Sequence, residues 1–339
     1  MKCFKQSLLA FLLSIVGSVN AATAAERPIE VITFPGGFNW PLWVAQEKGF
    51  FAANGIAVKV TPTPSSVFQL TQLIDGRFDI AMTAMDNLVA YREGQGEAPV
   101  VGRDLIAVMG GDRGFLKLVS APPINSVSAL RGEAVSVDAR NTGYSLVLFE
   151  LLDRAGLHEP EFTVERAGGV LQRFQSLLQG KQAATLLVSP FELQAQAHGF
   201  NVIAKVSTDL GAYQGMVAGV RRAWAETHRA QLEGFISAYA KSVEWLYNPA
   251  NKQEALRIFT KYMPDSDLAM AEAAFPLLVN EQTGFQRRAE LELPGLDEVL
   301  RLRAKWGIPQ KKLGIPEKYY DPRFYNDALK YRRSNGSQR

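Results

Sequence analysis

Cysteine is almost missing from this chain. Cys3 is the single example in 339 residues, and it precedes an apolar run at the N-terminus. One thiol forms no internal disulfide and no thiolate metal site, so a chain of this length is expected to stabilise itself by burial. Histidine is nearly as scarce. His158, His198 and His228 stand far apart, beside a turn, at a helix end and near a helix start, a spacing that suits no metal. No metal and no cofactor are expected. Past the N-terminal run, no stretch reaches the roughly 18–20 apolar residues of a spanning helix. The sequence also lacks G-x-S-x-G, a P-loop, H-E-x-x-H and G-x-G-x-x-G, which removes the commonest hydrolase, nucleotide and zinc-peptidase signatures. Before the tail there is no strong basic run, and no finger motif occurs anywhere, which argues against nucleic acid as a partner.

What is present begins with an address. Lys2 and Lys5 precede the apolar stretch from Ser7 to Val19, and small residues follow from Asn20 to Ala25. That order is expected of a cleaved secretory signal peptide, residues 1–25. Losing Lys2 and Lys5 with it lowers the formal charge from +3 to +1. Lys330, Arg332, Arg333 and Arg339 make the tail basic, which reads as a solvated, frayed end.

Strand and helix signals then alternate. Ile29 to Phe34, Ile56 to Val60, Phe78 to Met82 and Leu105 to Met109 read as strands, and so do Ala134 to Val137, Ala184 to Val188, Asn201 to Val206 and Met216 to Val220. Helices are expected between them. Pro41 suits a first turn, Ser65 or Ser66 a cap, Asp86 a cap, and Ser189-Pro190 a cap followed by a first turn. Val170, Leu171, Phe174, Leu177 and Leu178 mark a further helix. From Ala223 onward the chain is mostly helical, with Leu232, Phe235, Ile236, Tyr239, Val243 and Leu246 on one stripe. Pro276 is expected to kink or end the helix before it. The pattern predicts an α/β chain with parallel-rich sheets and a helical C-terminal part.

Ligands in open parallel sheets bind beyond the carboxyl ends of the strands. The loops at those ends supply the candidates: Gly37, Phe38, Asn39 and Trp40 after the first strand, then Thr83 and Asp86, then Asp112. Arg140, Asn141 and Thr142 follow the middle strand, and Tyr213 and Gln214 lie near a later crossing. Each has a second reading. Gly36-Gly37 can be a plain turn, Asp86 a plain cap, Asp112 and Arg113 a solvated pair, and Arg140 and Thr142 backbone caps. Trp40, in a loop, is the aromatic candidate; Trp43, on the helix, is expected in the core.

Pro41-Leu42-Trp43-Val44-Ala45-Gln46-Glu47-Lys48-Gly49-Phe50-Phe51, followed by Gly55-Ile56, resembles the opening of the periplasmic binding proteins for sulfonates, nitrate, taurine and thiamine-precursor pyrimidines. Gly76-Arg77-Phe78-Asp79-Ile80-Ala81 and Leu130-Arg131-Gly132 resemble that family's later strand approaches. The resemblance implies a periplasmic, two-lobe binding protein of type II-like form. Lobe 1 would comprise residues 26–112 and 214–339, and lobe 2 residues 113–213. It implies a small-molecule ligand in the cleft, with an ABC permease and ATPase as partners. The candidate residues leave an organic anion, a zwitterion and a polar ring compound all open as the ligand. The alternatives are a binding protein that feeds a sensor or a non-ABC transporter, and a pyrimidine-making enzyme of the same fold. Those enzymes use a cysteine-rich stretch, which the chain past its leader lacks.

Overall fold

The computed structural model describes residues 27–336. The expected signal peptide and Arg339 lie outside the described residues. Ten strands occur among them: β1 (Ile29–Thr33), β2 (Val58–Pro62), β3 (Ile80–Ala84), β4 (Leu105–Gly110), β5 (Lys117–Ser120), β6 (Ala134–Val137), β7 (Thr163–Arg166), β8 (Ala184–Leu187), β9 (Asn201–Lys205) and β10 (Met216–Arg221). They form two five-stranded sheets, ordered β2-β1-β3-β10-β4 and β7-β6-β8-β5-β9. In the first sheet β10 opposes the other four strands, and in the second β5 does so. The chain leaves the first sheet after β4, builds the second, and returns as β10. Each crossing thus delivers one antiparallel strand to the fourth place of the sheet it enters.

The elements follow from local chemistry. β3 is buried along its whole length and reads Ile-Ala-Met-Thr-Ala, the unbroken small-and-apolar run of a central strand. Ser65 caps the helix Ser66–Ile74 by accepting from the Phe68 N–H at 3.2 Å, and Gly76 leaves it at a φ of 79°. The helix Arg229–Leu246 buries the predicted stripe completely, Leu232 to Leu246. Among the described residues no helix is long and apolar enough to cross a membrane.

Several local expectations are corrected. Asp86 is not a cap: the helix Met85–Arg92 starts from Ala84, and Asp86 lies within its first turn, turned toward a distant arginine. Ser189 does not cap the helix Phe191–Ala197, because its hydroxyl bonds the Glu192 carboxylate instead. Pro276 sits inside the helix Leu268–Leu278, which runs two residues past it. The basic tail continues as helix from Pro322 to Gly336 and is not frayed there.

Strand direction positions the site. The carboxyl ends of β1, β3 and β4 in one sheet, and of β6 and β8 in the other, open onto the same space. The two halves meet around it. The Gly37 N–H donates to the Ser189 carbonyl at 3.0 Å, and a Cβ at Gly37 would lie 2.6 Å from that oxygen, so only glycine permits the approach. Elsewhere around the cleft, the Gly169 N–H donates to Pro64 at 2.8 Å and the Ser66 N–H to Asp138 Oδ2 at 2.8 Å.

Candidate functional site

Between the sheets lies a cleft enclosing about 610 Å³ of space, counted out to its open mouth. Its first-sheet wall carries Phe34 and Phe38 after β1, Met82 and Thr83 on β3, Asn87 on the following helix, and Asp112 after β4. Its second-sheet wall carries Phe115, Asp138, Tyr144, Arg173 and Val188. Gly36 lets Phe38 fold back toward the cleft. Its φ of 150° suits glycine, and a Cβ there would lie 2.5 Å from the Phe38 ring. Four aromatic rings and two methionines thus surround three charged side chains.

Those charges are held in different ways. Asp112 is 3% exposed, and its carboxylate accepts from the Gly114 N–H at 2.8 Å and the Met216 N–H at 3.2 Å. Its own carbonyl accepts from the Gly215 N–H at 3.1 Å, so one residue ties together both crossings between the sheets. Burial pushes the Asp112 carboxyl up to about 6, against the two N–H groups that pull it down. Arg113 does not pair with it; its guanidinium meets Glu292 and the Glu281 carbonyl. Asp138, the first residue past β6, has one oxygen on the Ser66 N–H and the other, Oδ1, without a partner. Arg173 is 6% exposed and donates to the carbonyls of Gly168 at 3.0 Å and Leu186 at 3.2 Å. Burial lowers its pKa, and the nearby Asp138 and Tyr144 oppose that shift. Burial likewise pushes the Tyr144 phenol well up.

The candidates from the sequence divide sharply. Phe38, Thr83 and Asp112 line the cleft. Gly37 shapes the contact between the halves beside it. Thr142 is fully buried and bonds Ser66 through its hydroxyl at 3.0 Å, also across the junction. Tyr213 stands behind the lining, its ring 6.3 Å from that of Tyr144. Gln214 is buried against the Met216 carbonyl at 3.0 Å and Gln286 at 2.7 Å. Asn39 holds the end of β1, accepting from Thr33 at 2.7 Å and donating to Phe34 at 2.6 Å.

Four candidates point elsewhere. Trp40 is fully buried as the first residue of the helix Trp40–Glu47. Its ring lies 4.6 Å from that of Phe259, and its N–H donates to the Ala255 carbonyl at 3.1 Å. It belongs to the core, because the C-terminal helices close over what looked like a loop. Asp86 pairs with Arg303, Nε to Oδ1 at 2.9 Å and Nη2 to Oδ2 at 2.5 Å, both side chains being buried. Arg140 lies at the surface, paired with Glu159 and over the Phe149 ring. Asn141 accepts from the Ile308 N–H at 2.8 Å and its carbonyl accepts from Arg303 at 2.7 Å, a junction contact outside the cleft lining.

Arg173 and Asp138 line the cleft but are not among the strand-end candidates. The signal for Arg173 was available, since a lone arginine three residues after Val170 and four before Leu177 lies on the apolar stripe of its helix. Asp138 was within reach as the residue that directly ends β6.

Comparison with known proteins agrees with this fold. No curated protein sequence matches the chain. The periplasmic nitrate-binding protein NrtA from Synechocystis has 14% identity and a TM-score of 0.75, with 90% of this chain and 88% of that one covered. The aliphatic sulphonate binding protein SsuA from Escherichia coli has 16% identity and a TM-score of 0.67, with 87% and 93% covered. The ligand-binding component of an ABC-type import system from Staphylococcus aureus has 13% identity and a TM-score of 0.72, with 89% and 99% covered. A family model described as NMT1/THI5 like matches residues 39–252. The chain therefore belongs to the NMT1/THI5-like family, and its fold is that of the periplasmic binding proteins.

Proposed function

We propose that this protein is the extracytoplasmic substrate-binding subunit of an ABC importer, holding a small organic molecule in the cleft between its sheets. The observation that carries the reading is the cleft itself. Apolar side chains, four aromatic rings among them, form most of its wall, and a few fixed polar groups converge on it, as in small-molecule sites generally. The nitrate-binding, sulphonate-binding and import-system neighbours support a binding rather than a catalytic role. The leader motif supports export to the periplasm, and the fold supports a permease and ATPase as partners. In this reading the chain has lobe 1 at 26–112 and 214–339 and lobe 2 at 113–213. The lobes open by hinge motion about the crossings that Asp112 ties together. Phe38, Thr83, Asp112, Asn87, Asp138, Tyr144 and Arg173 are the contact residues.

Thermal-shift screening of residues 26–339 against sulfonates, nitrate, amino acids, amides, pyrimidines and aromatic carboxylates tests the role. A ligand that binds only the folded state raises the midpoint by mass action. At least one compound is expected to do so, in a concentration-dependent way. A flat response across every class counts against a binding role.

A further inference from the structure

Side chains alternate along a strand, so Ser136 and Asp138 share one face of β6 and its extension, while Val135 and Val137 take the other. On the Ser136 face a small recess adjoins the cleft, with room for about one water molecule. Asp138, Tyr144 and Arg173 line both spaces and so form the boundary between them. The recess is polar in a specific way. Ser136 is 1% exposed and its hydroxyl has no partner. Asp138 is 8% exposed, with Oδ2 on the Ser66 N–H and Oδ1 unpartnered. Arg173 places two of its N–H groups on the carbonyls of Gly168 and Leu186, and a guanidinium has five. Buried polar atoms without partners cost free energy, and a bound group can satisfy them.

We infer, building on the binding reading above, that the head of the ligand seats in the cleft against Asp138 and Arg173, at the boundary with this recess, and that it both donates and accepts hydrogen bonds. An N–H or O–H of the head meets Asp138 Oδ1, an acceptor atom meets Arg173, and a water in the recess bridges the head to Ser136 Oγ. Amides and ureas have this pattern. The flat or apolar body of the ligand then lies among Phe34, Phe38 and Phe115 in the wider cleft. An acceptor-only anion such as a sulfonate would satisfy Arg173 but would leave Asp138 unpaired and facing a like charge.

Calorimetric titration of residues 26–339 with phenylurea, benzamide and benzenesulfonate tests this, since the three share a ring and differ in the head. The urea or the amide is expected to bind at least about tenfold more tightly than the sulfonate, the effect of one hydrogen bond to a charged group. Asp138→Asn presents an N–H donor in place of Oδ1 and is expected to abolish or reverse that preference. Ser136→Ala removes only a hydroxyl and is expected to weaken the urea or amide a few-fold, which keeps the test open should the Asp138 variant fold poorly. Equal or tighter binding of benzenesulfonate overturns the inference. So does a preference that survives Asp138→Asn, which would mean the head does not meet Asp138, and so does failure of all three probes. In each of those cases the binding reading stands if another compound class shifts the thermal midpoint, and it falls only if none does.

Discussion

Two acid–base sets are buried close to the junction between the sheets, and they are built differently. Asp86 and Arg303 come from distant parts of the chain and close on each other through two hydrogen bonds, with a third from Arg303 to the Asn141 carbonyl. Asp138 and Arg173 lie within the second half and line the same cleft, yet neither takes up the other's hydrogen-bonding capacity. The acid bonds a backbone N–H, the guanidinium bonds two backbone carbonyls, and Oδ1 is left over. The first set is complete without a ligand and fastens the C-terminal helix Leu293–Trp306 to the first sheet's helix Met85–Arg92. The second set is held in place by the backbone and leaves Asp138 Oδ1 without a partner. Burial and charge alone do not separate the two roles, but the count of satisfied partners does.

Breaking the completed set is expected to have the largest effect. Arg303→Ala leaves Asp86 buried and unpaired and should cost about 3–5 kcal/mol in urea unfolding. Trp40→Ala, in the core against Phe259, should cost a similar ~3–5 kcal/mol. A cost below about 1 kcal/mol for either would show that its surroundings are more solvated than the structure has them.

Asp112 gives the next effect, and it is one of pH. Its carboxyl stands at about 6 in the folded chain, against 3.8 for the ordinary group. The folded state therefore holds the extra proton between these values, so this group's contribution is full below about pH 4 and is lost as the pH rises through 6. The loss amounts to at most about 3 kcal/mol. Asp112→Asn should remove that slope, read as the difference between the two proteins' unfolding free energies from pH 4 to 7. Parallel curves would place Asp112 in a wetter site.

Opening the incomplete set should barely touch stability. Asp138→Asn keeps an acceptor for Ser66 and relieves an unpaired charge, so it is expected to be neutral or slightly stabilising, within about 1 kcal/mol. A loss of several kcal/mol would mean Asp138 is as structural as Asp86. Smallest of all, Arg140→Ala removes an exposed pair with Glu159 and should change stability by about 0–1 kcal/mol and ligand affinity not at all. A weakened ligand in that variant would bring the surface arginine back into the site.

The same contrast explains what was legible in the sequence. Eight of the ten strands are legible because each carries a short apolar or alternating, β-branched-rich pattern. β7 is not, since Thr-Val-Glu-Arg at the sheet edge is mostly exposed and carries one apolar residue. β5 carries only two apolar residues, Leu118 and Val119, between Lys117 and Ser120, and the direction of β5 and β10 follows from crossings that no local pattern encodes. The rule of strand ends brought Phe38, Thr83 and Asp112 to the cleft. It misplaced Trp40, Asp86, Arg140 and Asn141 because their partners, Ala255, Arg303, Glu159 and Ile308, are remote in sequence or on other loops. Arg173 lies within a helix, away from the loops at the strand ends, although its place on an apolar stripe marks it.

The central claim is that the incomplete set, and not the completed one, is where the ligand is held. Its most direct test is the calorimetric affinity of the best compound from the thermal-shift screen for the wild type, Asp138→Asn and Arg140→Ala. The account predicts a loss of at least about tenfold for Asp138→Asn at near-unchanged stability, and none for Arg140→Ala. Equal affinity in all three proteins would contradict it.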